Sequence, residues 1–285
     1  MAKLGRTDLA SEAHRLYNRG EKAGALPGVR AKQETLSGFE VTSVEILDGE
    51  GAAALGKPLG RYYTLELPAH FERGGDAFPA LAQVIARLIR RCADMADKSS
   101  VLVAALGNPD ITPDALGPLT AANVLVTRHL KQRQAAEFAS FRSAALCRTG
   151  VLGTTGVESA LQIATLCGLL KPDLVIAVDA LAGADVGRLC RTVQICSSGI
   201  SPGSGVGNDR ERLDEASLGV PVVAIGVPTV IDAGSFSDDP ELAAMFVTPR
   251  DIDSAVRAAG RLIGYGINLA IHEGLTVEDV DLLVG

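Results

Sequence analysis

Two aspartates stand where an acid–base pair would be of use. Asp114 lies within residues 107–118 (GNPDITPDALGP), and Asp179 directly follows the apolar run 174–178 (LVIAV). In an open parallel sheet, sites form just beyond the carboxyl ends of the strands. Asp179 is therefore expected at one strand's carboxyl end and Asp114 in the loop after another. If those strands are neighbours, the two carboxylates meet in one crevice. Close like charges cannot both ionise cheaply, so one keeps its proton. The ionised partner can take a proton from water while the protonated one polarises a carbonyl oxygen, which is aspartic-type amide hydrolysis. The same pair could instead hold a divalent cation through oxygen, with a bound water as nucleophile. Each residue also has a purely structural role open to it: a helix cap for Asp179 and an Asx-turn for Asp114.

Other candidate chemistry is weaker. Residues 199–203 (GISPG) match the G-x-S-x-G nucleophile elbow, and Ser201, Asp232 and His272 follow in the order of an α/β-hydrolase triad. That elbow needs a helix directly after the serine, and Pro202 with Gly203, Gly205 and Gly207 argues against one. The same glycines do not make a P-loop, since no helix with Lys-Ser/Thr follows. His14, His70, His129 and His272 are scattered, without a His-Glu-x-x-His pattern. No metal site and no cofactor is expected on this count. Cys92, Cys147, Cys167, Cys190 and Cys196 are an odd set with no Cys-x-x-Cys pair, as expected of reduced thiols rather than a disulfide framework. Cys92 and Cys167 fall in apolar helical patterns and are expected in the core.

The elements that must position the aspartates alternate. Residues 99–106, 174–178 and 220–225 read as buried strands. Residues 41–47 and 61–67 read as an N-terminal strand pair joined through the small residues 49–60. Leu81, Val84, Ile85, Leu88, Ile89 and Cys92 keep the spacing of one helical face. Thr155 and Glu158 have the form of a capping box opening a helix through Leu170. Thr248-Pro249 predicts an N-cap and N1 ahead of the stripe Ile252, Ala255, Val256, Ala259, Leu262, Ile263 and Ile267. The expected fold is α/β: three layers, a mostly parallel sheet with helices on both faces, and a small N-terminal strand pair.

Composition narrows the function further. The chain has 285 residues, 47% hydrophobic, with 27 Lys and Arg against 34 Asp and Glu and a net charge of −7. A core is affordable and general disorder is excluded. An acidic chain is a poor candidate for direct nucleic-acid binding. No apolar run reaches a membrane span, and residues 1–17 carry no secretory apolar region.

Several blocks spread along the chain resemble the germination proteases of spore-forming bacteria. They are residues 106–118 (LGNPDITPDALGP), 125–130 (LVTRHL), 150–158 (GVLGTTGVE), 172–182 (PDLVIAVDALA), 199–208 (GISPGSGVGN), 219–233 (GVPVVAIGVPTVIDA), 247–253 (VTPRDID) and 266–272 (GINLAIH). The order and number of the blocks make the match specific. The resemblance implies an endopeptidase that degrades small acid-soluble spore proteins at germination, working in the cytoplasm of the spore core. It implies an atypical aspartic peptidase whose two aspartates fall on Asp114 and Asp179, a fold similar to the hydrogenase maturation endopeptidases, and a homotetramer. It also implies a self-cleaving precursor. Residues 7–12 (TDLASE) look like the substrate cleavage site, with the cut between Asp8 and Leu9, a prosegment of residues 1–8 and one peptidase domain over residues 9–285. On structure alone, Asp8 to Glu12 reads as the acidic first turn of a helix. The readings left open on the same fold are a metal-dependent endopeptidase using the same aspartates and a non-catalytic binding protein.

Overall fold

The computed structural model describes residues 7–19, 26–72, 74–95, 100–203, 210–236, 239, 241–242 and 245–284. In chain order its elements are α1 (Ala10–Arg19), β1 (Val29–Leu36), β2 (Phe39–Ile46), α2 (Gly49–Leu55), β3 (Gly60–Glu66), α3 (Phe78–Cys92) and β4 (Ser100–Leu106). There follow α4 (Leu116–Ala121), α5 (Arg128–Arg133), β5 (Ser143–Gly150), α6 (Leu152–Thr155), α7 (Ser159–Leu170), β6 (Leu174–Gly183) and β7 (Thr192–Cys196). The chain continues through α8 (Glu215–Leu218), β8 (Val222–Asp232), β9 (Phe246–Val247), α9 (Ile252–Ile271) and α10 (Val277–Val284).

All these strands join one sheet in the order β1-β2-β3-β7-β8-β6-β4-β5, with β9 beside β8. The strands β8, β6, β4 and β5 are parallel, as the alternating pattern requires. The N-terminal pair is larger than expected. β1, β2 and β3 form an antiparallel ribbon that continues the main sheet through β7. The small-residue stretch between β2 and β3 winds into α2, capped by Asp48, whose Oδ1 accepts from the Gly51 amide at 2.9 Å.

Helices cover both faces. Side chains alternate along a strand, so Val101 and Val103 of β4 join the cluster of α3 and α9, while Leu102, Ala104 and Leu106 join Ala160, Ile163 and Cys167 of α7. The same alternation sends Ile176 and Val178 of β6 to one face and Val175 and Ala177 to the other. The expected stripe of α3 is buried from Leu81 to Cys92. Cys92 and Cys167 are core residues, and the five cysteines are free thiols. Two helix starts differ from expectation. Thr155 ends α6, because Gly156 turns left-handed at φ 71°, and α7 begins only after Glu158. The last long helix begins at Ile252 after Asp251, three residues past Pro249. None of the helices is long and apolar enough to cross a membrane, among the described residues.

Candidate functional site

Asp179 does not end its strand. β6 runs on to Gly183, paired with β8, and Asp179 stands opposite Gly226. It lies one residue beyond the last pair that β6 makes with β4, Val178 with Ala105. So β6 and β8 project as a ribbon past the end of β4, and Asp179 sits at the step. By alternation it shares a face with Val175 and Ala177, the face covered by α7.

Asp114 reaches that step from the loop after β4. It closes a 3-10 turn over Thr112–Asp114, and its Oδ2 accepts from the Asn108 amide at 2.8 Å. Two glycines make the approach possible. Gly107 adopts φ +105°, and a Cβ there would stand 2.0 Å from the Asp114 carbonyl oxygen. At Gly117 a Cβ would stand 2.1 Å from the carbonyl of Leu106 and 2.9 Å from that of Val178. The loop can therefore lie flat against the ends of β4 and β6.

Both aspartates line one cavity of about 470 Å3, together with Asp8, Arg210 and Thr229. Their environments differ. Asp179 is 4% exposed, and its Oδ1 accepts from the Ala180 amide at 2.9 Å. Burial holds its carboxyl well above the usual range. The charges of Asp114 and Asp8 push it further up, against the opposing Ala180 amide and Arg210. Asp114 is half-buried. Burial raises it too, opposed by the Asn108 amide and by Arg210. Both carboxyls are thus pushed up by burial, Asp179 the further, and each is opposed by a backbone amide and by Arg210.

The third acidic residue of the cavity belongs to the candidate cleavage segment. The Asp8 amide donates to the Ala182 carbonyl at 2.9 Å, and the Ala182 amide donates to Asp8 Oδ2 at 2.9 Å. Gln194 holds the backbone on both sides of the bond: its Nε2 donates to the Asp8 carbonyl at 3.0 Å, and its Oε1 accepts from Ala10 at 2.8 Å. Leu9 is fully buried, and α1 begins at Ala10, so the acidic-first-turn reading holds for Glu12. A second cavity, of about 440 Å3, lies beyond Asp8, lined by Lys57, Tyr62, Gln194, Cys196, Ser201 and Arg212. Asp8 and Leu181 line both cavities, so the N-terminal segment seated on the end of β6 is the wall between them.

The serine triad does not form. Ser201 Oγ accepts from Arg212 Nη1 at 3.0 Å, and Asp232 Oδ1 accepts from the Gly234 amide at 2.8 Å. His272 is buried at the end of α9 against the Phe141 ring, where burial brings its imidazole down to about 4. His129 is exposed on α5, away from the crevice. Among the described residues, no group of three or more His, Cys, Asp or Glu side chains is placed to hold a metal ion. Residues 204–209, the rest of the glycine loop, and residues 1–6 of the candidate prosegment lie outside the described residues. Sequence reasoning missed Arg210, Lys57 and Thr229. Arg210 had a signal, since it directly follows the glycine loop at the sheet's end; the other two had none.

The fold and the crevice define an α/β protein with two unequal carboxylates at the step where β4 ends beside the longer β6. A peptidase family model described as "Germination protease" matches residues 6–241. The chain belongs to the germination protease family. It is 40% identical to the germination protease of Caldanaerobacter subterraneus subsp. tengcongensis, covering 98% of each chain. It is 34% identical to that of Clostridium perfringens strain ATCC 13124, covering 97% of this chain and 98% of the relative. Among solved structures, a NiFe hydrogenase maturation protease, HycI, of Thermococcus kodakarensis KOD1 matches with a TM-score of 0.37 at 18% identity, covering 65% of this chain and 98% of that chain.

Proposed function

We propose that this member of the family is an endopeptidase of spore germination that degrades small acid-soluble spore proteins with Asp114 and Asp179, and that it first cuts its own chain between Asp8 and Leu9. The observation that supports this reading is that both carboxylates face the same cavity as Asp8. The roles follow from the surroundings. Ionised Asp114 takes a proton from water, and the water oxygen adds to the scissile carbonyl carbon. Protonated Asp179 gives its proton to the carbonyl oxygen. The tetrahedral adduct then collapses: one of its hydroxyls returns a proton to Asp179 as the C=O re-forms, the C–N bond breaks, and the amine leaves with the proton that Asp114 had taken. Arg210 favours the charged form of both carboxylates, and the deeper burial of Asp179 divides the roles. One shared proton is needed, so processing is expected to speed up on mild acidification.

The exposed leucines of α7, Leu161 at 57% and Leu169 at 74%, support the further reading that the chain works as a homotetramer. The spore-core cytoplasm is the compartment that goes with these substrates. The test is to incubate wild type, Asp114→Asn and Asp179→Asn at mildly acidic pH, with and without a chelator, and read intact masses. Loss of residues 1–8 in wild type alone, indifferent to chelator, is the expected result. Processing in Asp179→Asn, or an unchanged wild-type mass, would overturn the reading. Chelator-sensitive processing would move the same two carboxylates to a metal-dependent reaction.

A further inference from the structure

Lys57 follows the left-handed cap of α2 at Gly56 and points into the second cavity, with its side chain only 17% exposed. Among the described residues, the polar partners of its side chain come from the N-terminal segment. Nζ donates to the Thr7 carbonyl at 2.8 Å and lies 4.0 Å from Asp8 Oδ1. The other cation of that cavity, Arg212, is held quite differently. It reaches Asp214 Oδ2 at 2.8 Å, Ser201 Oγ at 3.0 Å and the Ser198 carbonyl at 3.1 Å, all within its own region of the chain. Arg212 is thus complete without the segment and Lys57 is not.

The contacts beyond Asp8 divide at the same point. Ala10 is held by Gln194. Ser11 Oγ accepts from Arg188 at 2.7 Å and from Thr64 at 3.0 Å. Glu12 Oε2 accepts from the Ala184 amide at 2.7 Å. These bonds do not involve residues 1–8, so Ala10, Ser11 and Glu12 keep them when the segment before Leu9 goes, while the bonds of Thr7 Oγ1 to the Leu9 amide at 3.1 Å and to Glu12 Oε2 at 2.5 Å are lost. What is vacated is a half-enclosed ammonium, the Ala182 amide and carbonyl, and the Gln194 side-chain amide. A buried cation that loses its partners is costly, and an incoming carboxylate on a peptide restores them.

Resting on the reading that the chain is cut after Asp8, we infer that Lys57, with the Ala182 amide and the Gln194 side chain, is the subsite for an acidic residue on the amino side of the bond cut in a peptide substrate, and that Asp8 occupies this subsite in the precursor. The subsite would select charge at that one position. An asparagine there has nearly the same shape and can still accept from the Ala182 amide, but offers nothing to the ammonium.

The test has two arms. In the first, processed wild type, Lys57→Met and Lys57→Arg are given two ten-residue peptides, one with the sequence of residues 4–13 and one with Asn replacing the Asp before the cut. Wild type is expected to prefer the Asp peptide by about tenfold or more in kcat/KM. Lys57→Met should bring the two peptides to within about threefold by slowing the Asp peptide alone, and Lys57→Arg should restore preference. An intact preference in Lys57→Met, or a parallel loss on both peptides, would overturn the subsite. The second arm needs no turnover. In full-length Asp179→Asn, hydrogen exchange at the Ala182 amide is compared among Asp8→Asn, Lys57→Met and the double variant. Non-additive loss of protection is expected, and additive loss would overturn the subsite. Peptides left uncut by wild type, with non-additive exchange retained, would sink the peptidase reading while supporting the carboxylate subsite.

Discussion

Keeping a proton on Asp179 has a measurable effect apart from catalysis. The folded chain holds that proton to higher pH than the unfolded chain, whose aspartates titrate near 3.8. Between that value and the raised folded one, the folded state binds more protons, so stability falls as pH rises. Asp179→Asn keeps the shape and removes the titration. At neutral pH the variant should melt above wild type, and the gap should close as the pH approaches 4, while processing falls by about a hundredfold or more. Thermal melts across pH 4–8 check this, and a gap independent of pH would mean that the charge of Asp179 is not the cause. Lys57 is the counterpart. Burial pulls its ammonium down and the Asp8 carboxylate is the first charge to hold it up.

Among the elements, α9 carries a polar bond in its most enclosed turn. Asn268 is fully buried. Its Oδ1 accepts from the Leu125 amide at 2.8 Å, and its Nδ2 donates to the Asn123 carbonyl at 2.8 Å. These bonds pin the segment that follows α4, the helix packed directly after the Asp114 loop. Asn268→Leu leaves the part-buried Leu125 amide and Asn123 carbonyl without these partners and is expected to cost about 2–4 kcal/mol in urea unfolding, with processing by the remaining folded chain retained. Which elements were legible follows from burial. The stripes of α3 and α9 and the parallel strands announced themselves because they face a core. β1 did not, since Arg30, Lys32, Gln33 and Glu34 leave it mostly exposed and without alternation. β7 is five residues between turns, too short to stand out. β6 was read as ending at Val178 because a charge in a buried strand contradicts the pattern of strands. That contradiction falls on the candidate site: the local rule fails at a residue that lines the cavity with Asp114 and Asp8.

At the scale of the whole molecule, the strand-end rule put Asp114 and Asp179 in one crevice, as both line the same cavity, but it ended β6 too early and could not supply their company. Asp8 arrives from 171 positions away in the chain's own N-terminal segment, and Arg210 and Lys57 from elements whose neighbours are known only after folding. Assembly belongs to this scale as well. Sedimentation equilibrium is expected to give four times the 29.5 kDa chain mass, with Leu161→Glu and Leu169→Glu together shifting it to smaller species; a monomer in the wild type would end the tetramer reading. The wall between the two cavities has a consequence of its own. A hinged lid opens and closes many times, and its open fraction is set by an equilibrium. A wall made of a strand can also peel and return, at the expense of its bonds to Ala182, Lys57 and Gln194. Where the proposed cut after Asp8 severs its backbone, the departing piece is diluted away and the return path is gone. On that proposal the molecule carries in its covalent structure a record of the cut, and no later change of pH erases it.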